Sequence, residues 1–142
     1  MPDGAIGADV MVGFPGETEE EFNETRRFIE RLPFTYLHIF PYSERPGTPA
    51  AEAADQVPWM VRKERGRVLK AIGLKKNEAF RKRMSGRVLS VVTQGDGRAG
   101  MASNYIAVEL LQPRKPLTVV EVTAGQLTVT GVREYTPLPV LC

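Results

Sequence analysis

Residues 8–18, ADVMVGFPGET, decide how the first part of this chain is read. Ala8 to Val12 is short, apolar and rich in β-branched residues, the pattern of a strand buried on both faces. Gly13-Phe14-Pro15-Gly16 stops it, because two glycines and a proline cannot extend a ladder. Thr18 and Glu21 have the spacing of a capping box, so a helix is expected from about Glu19. In a strand, tight turn, helix sequence of this kind, the turn lies at the carboxyl end of the strand, where α/β folds place their ligands.

The expected helix runs to about Arg31 and places Phe22, Phe28, Ile29 and Leu32 near one face, with Pro33 ending it. Its Glu19, Glu20 and Glu21 sit where the helix dipole favours carboxylates, and read as a solvated helix start rather than as catalytic acids. Tyr36 to Phe40 follows as a second strand, completing a β-α-β unit. His38, the single histidine, is expected inside. Two parallel strands and one helix cannot cover a sheet on both faces, so residues 1–50 are expected to be the tail end of a larger α/β domain. A loop rich in proline, residues 41–49, leaves the second strand at the same rim as the glycine turn, and residues 50–56 form a connector.

Pro58 opens a long helix that runs to about Met84, with Val61, Val68, Ile72, Ala79 and Phe80 as its buried stripe and a break expected near Gly73. Between Arg62 and Arg83 ten basic residues face two acidic ones, an excess that points to phosphate contact. From Gly86 onward the apolar period is two. Segments 87–93, 101–111, 117–123 and 127–133 read as four strands of a small, mostly antiparallel β-barrel.

Charge divides the chain in the same way. Residues 1–58 hold eleven acidic and four basic side chains, a net of −7, and residues 59–142 carry +9. One part is acidic; the other suits a polyanion. The composition is that of a globular protein, with no apolar run as long as a membrane span and no secretory leader pattern. A cytoplasmic setting is expected. The one cysteine, Cys142, cannot by itself hold a metal cluster, and neither a metal site nor a catalytic residue is assigned to this chain.

DVMVGFPGETEEEF, then HIFPYSERPGTPA and DQVPWMVRKER, closely resemble the radical S-adenosylmethionine methylthiotransferases, and the following β-segment resembles the TRAM domain that closes those enzymes. PYSERPGTPA is most similar to the branch acting on threonylcarbamoyl-adenosine in tRNA. The resemblance implies three parts: residues 1–57, the last βαβ portion of a partial TIM-like barrel; residues 58–84, a basic helical linker; and residues 85–142, an OB-like TRAM barrel. It also implies S-adenosylmethionine and iron–sulfur clusters in a longer parent that methylthiolates a modified adenosine next to the anticodon. The cluster cysteines of such a parent are not in this sequence, so the chain alone is expected to bind neither cofactor stably and to be inactive.

At the rim, the candidates for holding S-adenosylmethionine are Val12, Gly13, Phe14, Phe40, Pro41 and Tyr42. These barrels often carry a GxIxGxxE pattern here, whereas GFPGE places Glu17 one residue further out. The RNA candidates are Arg81, Lys82, Arg83, Arg87, Arg98, Arg114, Lys115 and Arg133, with Tyr105 as a stacking aromatic. The expected partners are tRNA and the missing N-terminal part of the same enzyme. Two other readings stand beside this one. One is a stand-alone RNA-binding module. The other is a phosphate-binding α/β domain, disfavoured because GFPGET lacks the lysine of a phosphate-binding loop.

Overall fold

The computed structural model describes residues 3–136, so Cys142 lies outside the described residues. The chain forms two compact units, Ile6–Asn77 and Glu78–Cys142 together with Met1–Ala5.

In the unit Ile6–Asn77, strand β1 (Gly7–Val12) pairs in parallel with β2 (Tyr36–Pro41), and helix α1 (Glu19–Arg31) makes the crossover between them. The capping box is present. Thr18 Oγ1 accepts from the Glu21 amide, and the Glu21 carboxylate accepts from the Thr18 amide at 2.8 Å. Phe22 and Ile29 turn inward to a core with Val12, Ile39 and Leu69, while Phe28 falls outside the stripe and is exposed.

Burial in β1 alternates, so the reading of a strand buried on both faces is corrected. Val10 and Val12 pack on the core, whereas Asp9 and Met11 are exposed. His38 is corrected for the same reason. It lies opposite Asp9 on the uncovered face, its side chain 76% exposed and its Nδ1 3.4 Å from Asp9 Oδ1. Helices cover one face of this two-stranded sheet, and alternate residues of each strand therefore meet solvent.

The connector contains a short helix, α2 (Pro49–Glu52), capped by the Thr48 side chain. Helix α3 (Trp59–Met84) is continuous through Gly73, contrary to the expected break. A side chain there would press on Leu37 at 3.3 Å, so this glycine lets the helix lie close to β2. The buried stripe of α3 is also corrected. Phe80 is buried and Val68 and Ile72 pack against the core as expected, but Ala79 is exposed, and the stripe also takes in Arg62, Arg65, Gly66, Leu69, Gly73, Arg81 and Met84.

The second unit is a closed barrel of five strands in the order β3-β4-β5-β7-β6: β3 (Val88–Gln94), β4 (Ala99–Ala102), β5 (Ala107–Glu109), β6 (Val119–Leu127) and β7 (Gly131–Glu134). Segment 101–111 is two strands, parted by a turn in which the Tyr105 amide donates to the Ala102 carbonyl. Residues 124–126, expected to join two strands, lie inside β6 at a register shift. Four pairings are antiparallel and β5–β7 is parallel. That exception follows from the count, since directions cannot alternate all the way round a ring of five. Leu89, Val91, Val108, Val122 and Val132 are buried in this unit, as are Phe80 and Met84 of α3. Buried Thr93 accepts the Thr118 amide and donates to the Lys115 carbonyl, tying down the segment before β6.

Candidate cofactor rim and RNA-facing surface

The carboxyl ends of β1 and β2 bring the six rim candidates together, with unequal access. Val12 belongs to the core, and its carbonyl accepts the Tyr42 amide at 2.8 Å. Gly13 is buried at a φ of 72°, a left-handed conformation that favours glycine. A Cβ on Gly13 would also fall on Arg62 Cγ. Its amide donates to Glu17 Oε2.

Phe14 is 50% exposed, its ring edge-on to Tyr42 with centroids 5.2 Å apart. Phe40 and Pro41 are partly buried, and Phe40 stands 5.3 Å from the His38 ring. Tyr42 is buried beneath the Arg62 guanidinium, and its hydroxyl has no partner among the described residues. An exposed aromatic ring beside an orphaned hydroxyl suits a ligand with both a flat face and polar groups, so the rim fits an adenine nucleoside. A single cysteine does not fit an iron–sulfur cluster.

Sequence reasoning missed Arg62 and Arg65 as parts of this rim and noted Glu17 only as lying one residue out of the family's pattern. Arg62 Nε donates to the Val57 carbonyl at 2.6 Å and Nη1 to the Tyr42 carbonyl at 3.2 Å, while Nη2 reaches Glu44 and Gln56. Arg65 Nη1 donates to the Glu17 carbonyl at 3.0 Å, and its Nη2 to Glu19. The helical period marks the face but not the partners that make burial of a charge tolerable there. Arg62, Arg65, Leu69, Gly73, Phe80 and Met84 follow the helical period of one buried face.

The RNA candidates separate more sharply. Arg81 is 8% exposed and donates to the Thr128 and Gly131 carbonyls at 2.9 and 3.0 Å, so it serves the barrel and is withdrawn as an open phosphate contact. Arg114 is held by Glu134, whose carboxylate is largely buried. Lys82 pairs with Glu78, Arg87 with Asp3, Arg98 with Asp96 and Arg133 with Glu109, all at exposed positions. Arg83 lies over the Phe80 ring, and Lys115 is exposed with no acidic partner among the described residues. Tyr105 is 72% exposed at a φ of 62°, so it is not an interior residue of the barrel. A non-glycine residue in that conformation is uncommon outside constrained turns.

A βαβ layer open on one face, followed by a small closed barrel, is the architecture these sites stand on. No family model matches the chain. It is 42% identical over 108 residues to a threonylcarbamoyladenosine tRNA methylthiotransferase of Aquifex aeolicus, an alignment covering 76% of this chain and 26% of that protein. It is 37% identical over 153 residues to a tRNA-2-methylthio-N(6)-dimethylallyladenosine synthase of Streptomyces griseus, which covers 99% of this chain and 30% of the relative. The synthase of the same name from Thermobifida fusca is 48% identical over 99 residues, or 69% of this chain and 20% of the relative. The chain is homologous to a part of the tRNA methylthiotransferases. It spans 20% to 30% of the length of these three relatives, and both branches match at comparable identity.

Proposed function

We propose that this chain is the C-terminal part of a tRNA methylthiotransferase of the radical S-adenosylmethionine class, in which it supplies part of the cofactor rim and the RNA-binding domain. The observation that carries this is the alignment over 99% of the chain, which takes in both units. Residues 1–57 are then the last βαβ portion of a partial TIM-like barrel, residues 58–84 a basic helix, and residues 85–142 a TRAM domain. The uncovered face with Asp9, Met11 and His38 supports the first assignment, and the closed five-stranded barrel supports the last. The threonylcarbamoyl-adenosine branch and a cytoplasmic setting complete the reading; among the described residues no helix is long and apolar enough to cross a membrane.

S-adenosylmethionine, with the parent's clusters, would supply the radical and sulfur chemistry. The residues of this chain would orient it: the Phe14 ring against the adenine, the Tyr42 hydroxyl toward a polar group, and the backbone of Gly13, Phe40 and Pro41 along its edge. On the barrel, Arg83 and Lys115 are the open cations. Lys82, Arg87, Arg98 and Arg133 can exchange carboxylate for phosphate, because exposed ion pairs are worth only about 0–1 kcal/mol.

A filter-binding titration of tRNA against the chain over a range of salt tests the RNA half. Changing Lys82, Arg83 and Lys115 to glutamate should weaken binding to all RNAs alike and flatten the log–log salt slope by about 0.7–0.9 per lost contact. Tyr105→Ala should cost about 1–3 kcal/mol with little change in slope if a base stacks there. A wild-type chain without salt-dependent affinity for tRNA would remove the RNA-binding assignment.

A further inference from the structure

The ten cations between Arg62 and Arg83 do not form one surface. Arg62 and Arg65 are each 6% exposed, and burying a guanidinium is costly unless its donors are met. Those of Arg62 are met, and those of Arg65 are met at both terminal nitrogens while its Nε has no partner among the described residues; the partners lie on two turns of the rim. Arg62 binds the segment that leaves β2 and returns to α3, through the carbonyls of Tyr42 and Val57 and the side chains of Glu44 and Gln56. Arg65 binds the segment that leaves β1, through the Glu17 carbonyl and the carboxylates of Glu17 and Glu19.

Glu17 completes the chain of contacts. The same Oε2 that faces Arg65 at 3.5 Å accepts the Gly13 amide, and the Glu17 amide donates to the Phe14 carbonyl at 2.9 Å. The carboxylate thus points back into its own turn, and Phe14 is left at the apex beside Tyr42. Gly13 backs directly onto the Arg62 side chain. Each arginine therefore holds a different turn, and both turns end in a residue of the proposed rim.

From this geometry we propose that Arg62 and Arg65 are positioning residues for the cofactor rim, Arg65 fixing the Gly13–Glu17 turn through Glu17 and Arg62 fixing the 42–57 segment. The proposal rests on the reading of that rim as an S-adenosylmethionine site. It also removes Glu17 as a direct ligand, so the turn meets the nucleoside through its backbone and the Phe14 ring. Arginine is required because a planar fork reaches a carbonyl and a carboxylate together, which a lysine point charge does not.

The test uses the 142-residue chain and its Arg62→Lys, Arg62→Gln, Arg65→Lys and Arg65→Gln variants, each checked for an unchanged barrel by its thermal transition. Amide hydrogen exchange should rise about tenfold or more at Gly13 and Glu17 in R65Q, and at Tyr42, whose amide donates to the Val12 carbonyl, in R62Q, with β2 amides Leu37–Ile39 unchanged. The lysine variants should restore only part of this protection. General support of the fold would loosen both turns and β2 in every variant, and that result overturns the proposal, as does unchanged exchange. In parallel, S-adenosylhomocysteine at millimolar concentration, enough to populate the weak, short-lived complex expected of the chain without its parent's clusters, should shift the amide resonances of Gly13, Phe14 and Tyr42 in the wild type, with the shifts collapsing in R65K and R62K. Local loosening without any such shifts would verify the two clamps but overturn the cofactor reading, and with it the positioning role.

Discussion

The two units solve the same problem, a small sheet with polar neighbours, in opposite ways. In the unit Ile6–Asn77 two parallel strands are covered on one face, and buried arginines hold its loops. In the barrel unit every strand has two neighbours, and Lys82, Arg87, Arg98 and Arg133 sit outside in exposed ion pairs. Closure leaves a barrel no free edge, whereas an open parallel pair depends on whatever covers its second face. The same residue type thus has different jobs along a single helix. Arg65 orders a turn, Arg81 braces the barrel, and Arg83 faces outward over an aromatic ring.

The sharpest way to break this comparison is to empty each core in turn. Phe80→Ala removes the largest fully buried side chain of the barrel unit and should cost about 3–5 kcal/mol. Leu69→Ala should cost about 2–5 kcal/mol in the other unit. Urea unfolding followed by exchange in Val122 and Ile39 should show each change lowering protection mainly in its own unit. Equal loss in both would mean that the units unfold as one.

A smaller effect separates Arg81 from Arg83. Arg81→Gln removes the donor to the Thr128 carbonyl and one of two donors to the Gly131 carbonyl, which keeps the Thr128 amide, and should destabilise the barrel by about 1–3 kcal/mol. Arg83→Gln should leave the urea midpoint nearly unchanged and lower tRNA affinity. If R81Q weakens RNA binding with no loss of stability, the brace assigned to Arg81 is wrong.

The smallest expected effect lies at the start of α1. Thr18→Ala should cost about 1 kcal/mol through loss of the cap. The Thr18 amide, and then its hydroxyl, hold the Glu21 carboxyl below its ordinary value of 4.5. Arg67 and Lys82 do the same for Glu64 and Glu78. Lowered folded values mean that these contributions are present above pH 4.5 and fade as pH falls through the lower values. A pH titration of stability should therefore decline in the acid range, and T18A should flatten part of that decline. A T18A profile parallel to the wild type would assign the acid sensitivity elsewhere.

What the sequence determined by itself was local. The Thr18–Glu21 cap, the stop at Gly13–Gly16, and the bounds of α1, β2 and α3 follow from short-range hydrogen bonding and backbone freedom, which neighbouring residues specify. The family, too, was legible in motifs that a few adjacent residues carry. Only the tertiary structure decided which side of each element was covered. Asp9 and His38 were legible as strand residues but not as an uncovered face, because burial depends on what packs against a sheet rather than on the strand. Arg62, Arg65 and Arg81 resembled the other cations of α3, since charge alone points outward. Their burial became favourable only when carbonyls and carboxylates distant along the chain converged on them, and no local pattern encodes that convergence.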